Sequence, residues 1–148
     1  MMKEAIPVGA DHAGFEMKER LVKELAALGY EPVDVGTHSA VSTDYPDYAH
    51  VVAEQVARGE AKRGVLLCGT GLGMSYAANR HHGVRAAVAW TPEIAKLARE
   101  HNDANVLVLP ARFVSTDEGI AILKTWLDTP FEGGRHQRRV DKIEVENS

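Results

Sequence analysis

The chain has 148 residues, of which 17 are basic, 21 are acidic and 45% are hydrophobic, and its formal net charge is −4. This length and composition are typical of one globular domain and exclude a disordered or fibrous protein. The mild acidity argues against general nucleic-acid binding, and no apolar segment approaches the roughly 20 residues that a membrane span needs. A single cysteine, Cys68, cannot form an internal disulfide, and the sequence begins without a signal peptide, so we expect a cytoplasmic protein.

The first half of the chain alternates apolar runs with helical patterns. Residues 5–10 and 31–36 are predicted strands, separated by a helix whose apolar face is marked by Met17, Leu21, Leu25 and Leu28. Gly29 is placed to end this helix. Residues 37–46 are polar and turn-rich and are predicted to form a loop. A second helix follows, with Tyr48, Val51, Val52 and Val56 as its apolar positions.

The second half continues the alternation. Residues 64–69, 84–90 and 106–109 are predicted strands, and a small-residue helix through Ala78 follows the first of them. Thr91-Pro92-Glu93 and Ser115-Thr116-Asp117-Glu118 are helix starts, the second of them a capping box. In the tail, residues 131–148, Gly133-Gly134 is predicted to end one helix and residues 135–142 to form another. Arg135 and Arg139 would share a face of that helix.

Five strands interleaved with helices predict an α/β protein with a parallel sheet covered on both faces. Ligands of such sheets bind beyond the carboxyl ends of the strands. Asp11 and His12 follow the first strand, Cys68–Gly73 follow the third, and Arg112 follows the fifth. We therefore expect these residues on the same rim.

The segment Cys68-Gly69-Thr70-Gly71-Leu72-Gly73 is the most distinctive motif. Its glycines expose backbone N–H groups ahead of a helix N-terminus, where an anion such as a phosphate or a developing enolate oxygen fits. A glycine turn that permits close packing is the alternative. Cys68 is either an inert core residue or a thiol whose pKa the helix N-terminus lowers.

His101 ends a predicted helix, immediately before Asn102. An imidazole there either interacts with the negative end of the helix dipole or transfers a proton to a sugar oxygen. Asp11-His12 is half of a possible metal site, but no further ligand motif accompanies it. We therefore expect no metal.

Five motifs in register resemble the family of ribose-5-phosphate isomerase type B and the galactose-6-phosphate isomerase subunits. The resemblance covers residues from about 4 to 145. The motifs are Gly9-Ala10-Asp11-His12-Ala13-Gly14, Thr43-Asp44-Tyr45-Pro46, Cys68-Gly69-Thr70-Gly71-Leu72-Gly73, His101-Asn102-Asp103-Ala104-Asn105-Val106 and Glu132-Gly133-Gly134-Arg135-His136-Gln137.

The resemblance implies one Rossmann-like α/β/α domain, residues 1–148, with the phosphate-binding arginines in its tail. It implies a homodimer, or a tetramer built from it, that converts ribose 5-phosphate to ribulose 5-phosphate through a cis-enediolate without metal or organic cofactor. Cys68 matches the family's base and His101 the group that assists ring opening, with Asp11 nearby and Thr70 placed to move a proton between O1 and O2. The matching substrate-binding positions are Asp11, His12, Tyr45, Gly69, Thr70, Gly71, Leu72, Gly73, Asn102, Arg112, Arg135 and Arg139.

One subgroup of the family replaces the cysteine and uses a glutamate just after the glycine loop. Met74 stands at that place here and cannot accept a proton, so Cys68 has no rival as the base. Three alternatives remain open: an isomerase of a six-carbon sugar phosphate such as allose or galactose 6-phosphate, a non-catalytic phosphate- or nucleotide-binding module, and a cysteine hydrolase using Cys68, His101 and Asn102.

Overall fold

The computed structural model describes residues 2–145, which form a five-stranded parallel sheet. The strands are β1 (Ala5–Ala10), β2 (Glu31–Asp34), β3 (Gly64–Cys68), β4 (Ala86–Val88) and β5 (Val106–Pro110). Their order across the sheet is β2-β1-β3-β5-β4, so β3 lies at the centre. Its register aligns Ala10 of β1 with Leu67, and Cys68 with Pro110 of β5.

Helices cover both faces of this sheet. They are α1 (Phe15–Ala27), α2 (Tyr45–Ala57), α3 (Leu72–Ala78), α4 (Pro92–Asn102), α5 (Thr116–Asp128) and α6 (Arg135–Asp141). Because side chains alternate along a strand, Val65 and Leu67 of β3 pack in the core beneath α1 and α5, while Leu66 and Cys68 pack in the core beneath α2 and α3. The predicted three-layer α/β/α sandwich with a helical tail is confirmed.

The predicted helix ends are confirmed at three positions. The Thr91 hydroxyl accepts a hydrogen bond from the Ile94 N–H (3.2 Å), and Ser115 and Glu118 form the reciprocal bonds of a capping box. Gly29 follows α1 with a φ of +96°, a conformation that favours glycine. None of the helices in the described part of the chain is long and apolar enough to span a bilayer.

Several predicted boundaries are wrong. The loop at 37–46 is too long, because α2 begins at Tyr45 with Pro46 in its first turn, a position where proline needs no N–H partner. The strands predicted at 31–36 and 84–90 are shorter in the structure, at Glu31–Asp34 and Ala86–Val88, although the N–H groups of Val35 and Ala89 still donate to the carbonyls of Val8 and Val108. Gly133-Gly134 does not end a helix, because α5 stops at Asp128 and the two glycines precede α6.

The tail packs on its own domain more closely than its sequence predicts. α6 lies against α4 and buries His136 and Val140, while Arg135 and Arg139 are exposed on the same helix, four residues apart. The Glu132 N–H donates to the Glu100 carbonyl (3.1 Å), which joins the segment before α6 to the last turn of α4. The position of the two arginines is therefore set by the C-terminal end of α4.

A buried ion pair holds the end of β2 next to the carboxyl edge of the sheet. The side chain of Lys18 is fully buried, and its Nζ lies 2.7 Å from Asp34 Oδ2 and 2.9 Å from Glu19 Oε1. Burial would raise the pKa of Asp34, but the hydrogen bonds from Lys18 and from the Gly36 N–H hold that pKa below its ordinary value. The pair thus fixes the start of the 36–43 segment, which reaches over to His12.

Replacing Asp34 by asparagine is expected to lower the free energy of unfolding by about 2 kcal/mol, because a buried ammonium then keeps only Glu19 as its counter-charge. Urea unfolding at pH 7 measures the loss.

The contribution of Asp34 to the free energy of unfolding depends on pH. Because the pKa of Asp34 is lowered in the folded protein, this contribution is present above the unfolded pKa of the carboxyl group and is lost as the pH falls through the folded pKa. The exposed pair Glu54–Arg58 supplies the control: Glu54→Gln should change stability by less than about 0.5 kcal/mol, and equal effects of the two variants would contradict the expectation.

Candidate active site

Cys68 lies at the carboxyl end of the central strand, at the point where the strand order reverses. The chain runs from β1 outward to β2 and then to β3 on the other side of β1, which opens a crevice between β1 and β3. Cys68 is 5% exposed, and its Sγ accepts a hydrogen bond from the Gly71 N–H (3.2 Å). The thiol thus lies beside a backbone N–H donor, at the edge where ligands of parallel sheets bind. The local geometry therefore suits a base.

Asp11 and His12 lie across this crevice from Cys68. The buried Asp11 carboxylate accepts the Ala13 and Gly14 N–H groups, both through Oδ1 (3.0 and 3.3 Å), and the Asp11 N–H donates to the Leu67 carbonyl. The Nδ1 of His12 accepts the Thr43 N–H (3.2 Å). When neutral, His12 must therefore carry its proton on Nε2, which makes that nitrogen a hydrogen-bond donor.

Two side chains lie directly on the glycines of the Cys68–Gly73 loop. A Cβ added to Gly69 would lie 3.2 Å from Arg112 Cδ, and one added to Gly73 would lie 2.5 Å from the ring of Tyr45. The Arg112 N–H donates to the Gly69 carbonyl (3.0 Å). Asp11, His12, Tyr45, Cys68, the loop and Arg112 are thus brought to one rim, as the strand order predicts.

Gly71 combines a left-handed backbone with a close contact. Its φ is +80°, and an added Cβ would lie 3.0 Å from Val88 Cγ1 and 3.3 Å from Val108 Cγ1. Gly71→Ala is expected to destabilise the fold by about 2 kcal/mol and to weaken the N–H contact with Cys68. Gly83→Ala is a matched control because its φ is +83°, and a Cβ added there would meet no neighbouring atom within 4 Å in the described part of the chain. Urea unfolding of both variants separates the contact from the backbone strain, and equal losses would show that the valine contact is unimportant.

The remaining predicted residues lie at the opposite edge of the sheet. α4 returns the chain to the amino end of β5, where Arg85 Nε donates to the Asp103 carbonyl (2.8 Å) and the Asn105 N–H donates to the Arg85 carbonyl. His101 and Asn102 end α4 there, and Arg135 and Arg139 follow on α6. The rings of His101 and His136 are stacked with centroids 4.3 Å apart.

Within one chain, the two groups of residues are therefore separated by the length of the sheet. The five residues of β5 span about 13 Å at 3.3 Å per residue. A small molecule that touches Cys68 does not reach His101, Asn102, Arg135 or Arg139 of the same chain. Among residues 2–145, no acidic side chain lies within ion-pair distance of Arg112, Arg135 or Arg139.

Three residues with a place in these groups have no role that the sequence pattern predicts. Thr43 fixes the tautomer of His12 through its backbone N–H, which no side-chain pattern can reveal. Glu132 and His136 both lie next to His101. Glu132 Oε1 is 4.0 Å from His101 Nε2, and the ring of His136 stacks on the ring of His101. The sequence feature that could have identified Glu132 and His136 is the motif Glu132–Gln137, which also contains Arg135.

Comparison with known proteins identifies close relatives over nearly the whole chain. The model of the ribose/galactose isomerase family matches residues 6–143. Ribose-5-phosphate isomerase B of Escherichia coli is 48% identical over 138 residues, 93% of each chain. A ribose 5-phosphate isomerase structure from Thermotoga maritima is 51% identical, with a TM-score of 0.93 and coverage of 96% of this chain and 98% of that chain. The Mycoplasma genitalium enzyme with bound ribulose 5-phosphate is 43% identical, with a TM-score of 0.92 and coverage of 97% and 95%.

Proposed function

The chain belongs to the ribose/galactose isomerase family, and we propose on that premise that it is an aldose–ketose isomerase that interconverts ribose 5-phosphate and ribulose 5-phosphate. The observation that carries this function is the position of Cys68, a thiol at the carboxyl end of the central strand with the Gly71 N–H directed at its sulfur. A base next to preorganised N–H donors is what the removal of a proton beside a carbonyl requires.

The proton transfer follows from this arrangement. The Cys68 thiolate takes the proton from C2 of the open-chain aldose. The negative oxygen of the resulting enediolate is stabilised by N–H groups of the 69–73 loop other than those of Gly71 and Leu72, which donate to Cys68 Sγ and Thr70 Oγ1. The protonated thiol then returns the proton to C1, while the Thr70 hydroxyl moves a proton between O2 and O1. Asp11 Oδ2, which takes neither of the backbone hydrogen bonds, is available to a substrate hydroxyl.

The substrate phosphate needs local positive charge on a protein whose net charge is −4. Arg135 and Arg139 offer exposed, forked donors four residues apart, with Arg112 and His12 on the rim of the Cys68 crevice. We assign the phosphate to these residues and assign Tyr45, Leu72 and Asn102 to contacts with the sugar.

We propose that the enzyme is a homodimer in which each site draws on both chains. The rim beside the Cys68 crevice exposes large apolar side chains, among them Leu72 (49%), Trp90 (54%) and Phe113 (73%), which favours burial against a partner. A second copy that places the end of its α4 and its α6 over this rim would bring His101, Asn102, Arg135 and Arg139 to Cys68. A single domain, residues 1–148, and a cytoplasmic location remain part of the proposal.

Incubation of purified, reduced protein with ribose 5-phosphate in the presence of a chelator tests the activity, with ribulose 5-phosphate as the measured product. Cys68→Ala protein prepared in parallel reveals any contaminating host isomerase. Failure of the wild-type protein to form ribulose 5-phosphate would overturn the proposal. The same assay with allose 6-phosphate and galactose 6-phosphate decides the preferred sugar.

His101→Ala is expected to lower the rate with ribose 5-phosphate by about 100-fold or more, because cyclic ribose 5-phosphate must be opened before Cys68 can act. The loss should be much smaller with 4-deoxyribose 5-phosphate, which lacks the hydroxyl that closes the furanose ring. Initial rates of the wild type and of His101→Ala on both substrates measure the difference. Equal losses on the two substrates would refute the ring-opening role of His101.

A further inference from the structure

Three side chains with metal-binding atoms meet where α6 packs on the end of α4. They are His101, Glu132 and His136, and their donor atoms all lie within 4.8 Å of one another. Glu132 Oε1 is 4.0 Å from His101 Nε2 and 3.3 Å from His136 Nε2. Ligands at about 2.1 Å from a tetrahedral ion are about 3.4 Å apart, so side-chain rotations that include a tilt of the two imidazole rings bring all three atoms to one ion.

The backbone around this cluster is held in place. The Glu132 N–H donates to the Glu100 carbonyl (3.1 Å), and Arg99 Nε donates to the Thr129 carbonyl (3.1 Å), so two bonds tie the segment between α5 and α6 to α4. The rings of His101 and His136 are nearly parallel, at 14°. The two hydrogen bonds limit the freedom that the backbone loses when a ligand binds, while the rings tilt out of their stack to direct both lone pairs at one ion.

The buried histidine supplies a second, independent observation. The side chain of His136 is 8% exposed, and its Nε2 has no hydrogen-bond partner among residues 2–145. It lies within ion-pair distance of Glu132 but without the geometry of a hydrogen bond. A buried polar atom without a partner is costly, and this one is directed at the two other donors.

We propose that His101, Glu132 and His136 bind a divalent transition ion of the zinc class. Two imidazoles and one carboxylate match the ligand preference of zinc, and the solvent side of the cluster leaves a fourth position for water. The C-terminal end of α4 favours a cation. The positive charges of Arg135, Arg138 and Arg139 on α6 repel a cation and lower the affinity of the site. The site is therefore one that an inhibitory ion occupies with moderate affinity, and not a permanent cofactor site.

The ion removes His101 from the reaction. A nitrogen whose lone pair is bound to zinc cannot exchange a proton with the sugar ring oxygen. Zinc is therefore expected to inhibit turnover of cyclic ribose 5-phosphate more strongly than turnover of the 4-deoxy substrate. This consequence rests on the proposed function, whereas the binding of zinc does not.

Equilibrium titration of metal-free, reduced protein with zinc against a chromophoric chelator tests the site without reference to activity. We expect about one equivalent per chain in the wild type, and an affinity more than about tenfold weaker in Glu132→Gln and His136→Gln. Glu132 is half exposed, so its variant tests the site even if His136→Gln fails to fold. His81→Gln is the matched control, because it removes the chain's other close histidine pair, His50–His81.

The competing ligand is the thiol of Cys68. Cys68→Ala is expected to keep zinc binding, and the cobalt-substituted wild type is expected to lack a sulfur-to-metal charge-transfer band. Loss of binding in Cys68→Ala, or unchanged affinity in Glu132→Gln and His136→Gln, would overturn the proposal, as would a wild type that binds no zinc. Because the titration needs no turnover, these results remain distinct from a failure of the isomerase assay.

Discussion

Replacing Cys68 by alanine is expected to lower kcat for ribose 5-phosphate by about 1,000-fold or more while leaving the fold and the affinity for substrate nearly unchanged. The thiol is small and 5% exposed, and it accepts one hydrogen bond, from the Gly71 N–H, so its loss removes the base and little else. Steady-state kinetics and calorimetric titration with ribose 5-phosphate measure the two quantities separately.

Exchange of the C2 proton with deuterated water identifies the missing step. With 4-deoxyribose 5-phosphate, Cys68→Ala should lose this exchange, whereas His101→Ala should retain it, because the ring is already open. Cys68→Ser is the conservative variant, and its hydroxyl keeps the shape of the site but is a far weaker acid than a thiol. Near-normal turnover in Cys68→Ala would place the base elsewhere.

The architecture could be predicted because the strands and helices differ in apolar period and because glycine and capping residues mark their ends. Residues 64–68 and 106–110 are continuous apolar runs because they lie between two neighbouring strands in the covered sheet. The end strand β4 has one neighbour, β5, and its last hydrogen bond to β5 is donated by the Ala89 N–H, so Trp90 lies beyond the pairing and is exposed despite its apolar character. Such a limit is set by the partner strand and not by the local sequence.

The half of the candidate site at the carboxyl edge of the sheet was predictable for the same reason. Asp11, Cys68 and Arg112 each follow a strand, and parallel strands end at one rim. The strand order did not predict the contact of Tyr45 with Gly73. Tyr45 makes this contact from the first turn of α2, where a loop was predicted.

The edge of the sheet at which His101 lies could be predicted from the topology, but the side chains that surround His101 could not. A helix that connects β4 to β5 must end at the amino edge, so His101 cannot face Cys68 of its own chain. The burial of His136 had no sequence signal, since α6 is seven residues long and mostly charged. Its environment depends on a ring stack with His101 that no periodicity encodes.

This separation leads to an expected result for mixed dimers. Cys68→Ala and Arg135→Ala proteins should each be nearly inactive, but together they should recover activity after dissociation and reassociation. A mixed dimer has one site that combines Cys68 of one chain with Arg135 of the other. Random pairing makes half of the dimers mixed with one intact site each, so about a quarter of wild-type activity should return.

The outcome depends on which residues share a chain within each site. His101→Ala should complement Cys68→Ala as Arg135→Ala does, because His101 and α6 lie at the same edge of the fold. Asp11→Ala is the matched control and should not complement Cys68→Ala, since both residues lie on one rim and every mixed site keeps one of the two lesions. Subunit exchange is verified with differently tagged chains. Recovery with Asp11→Ala, or no recovery with either amino-edge variant despite exchange, would contradict a site shared in this way, because the complementation pattern follows directly from the distance of about 13 Å that β5 places between the two groups.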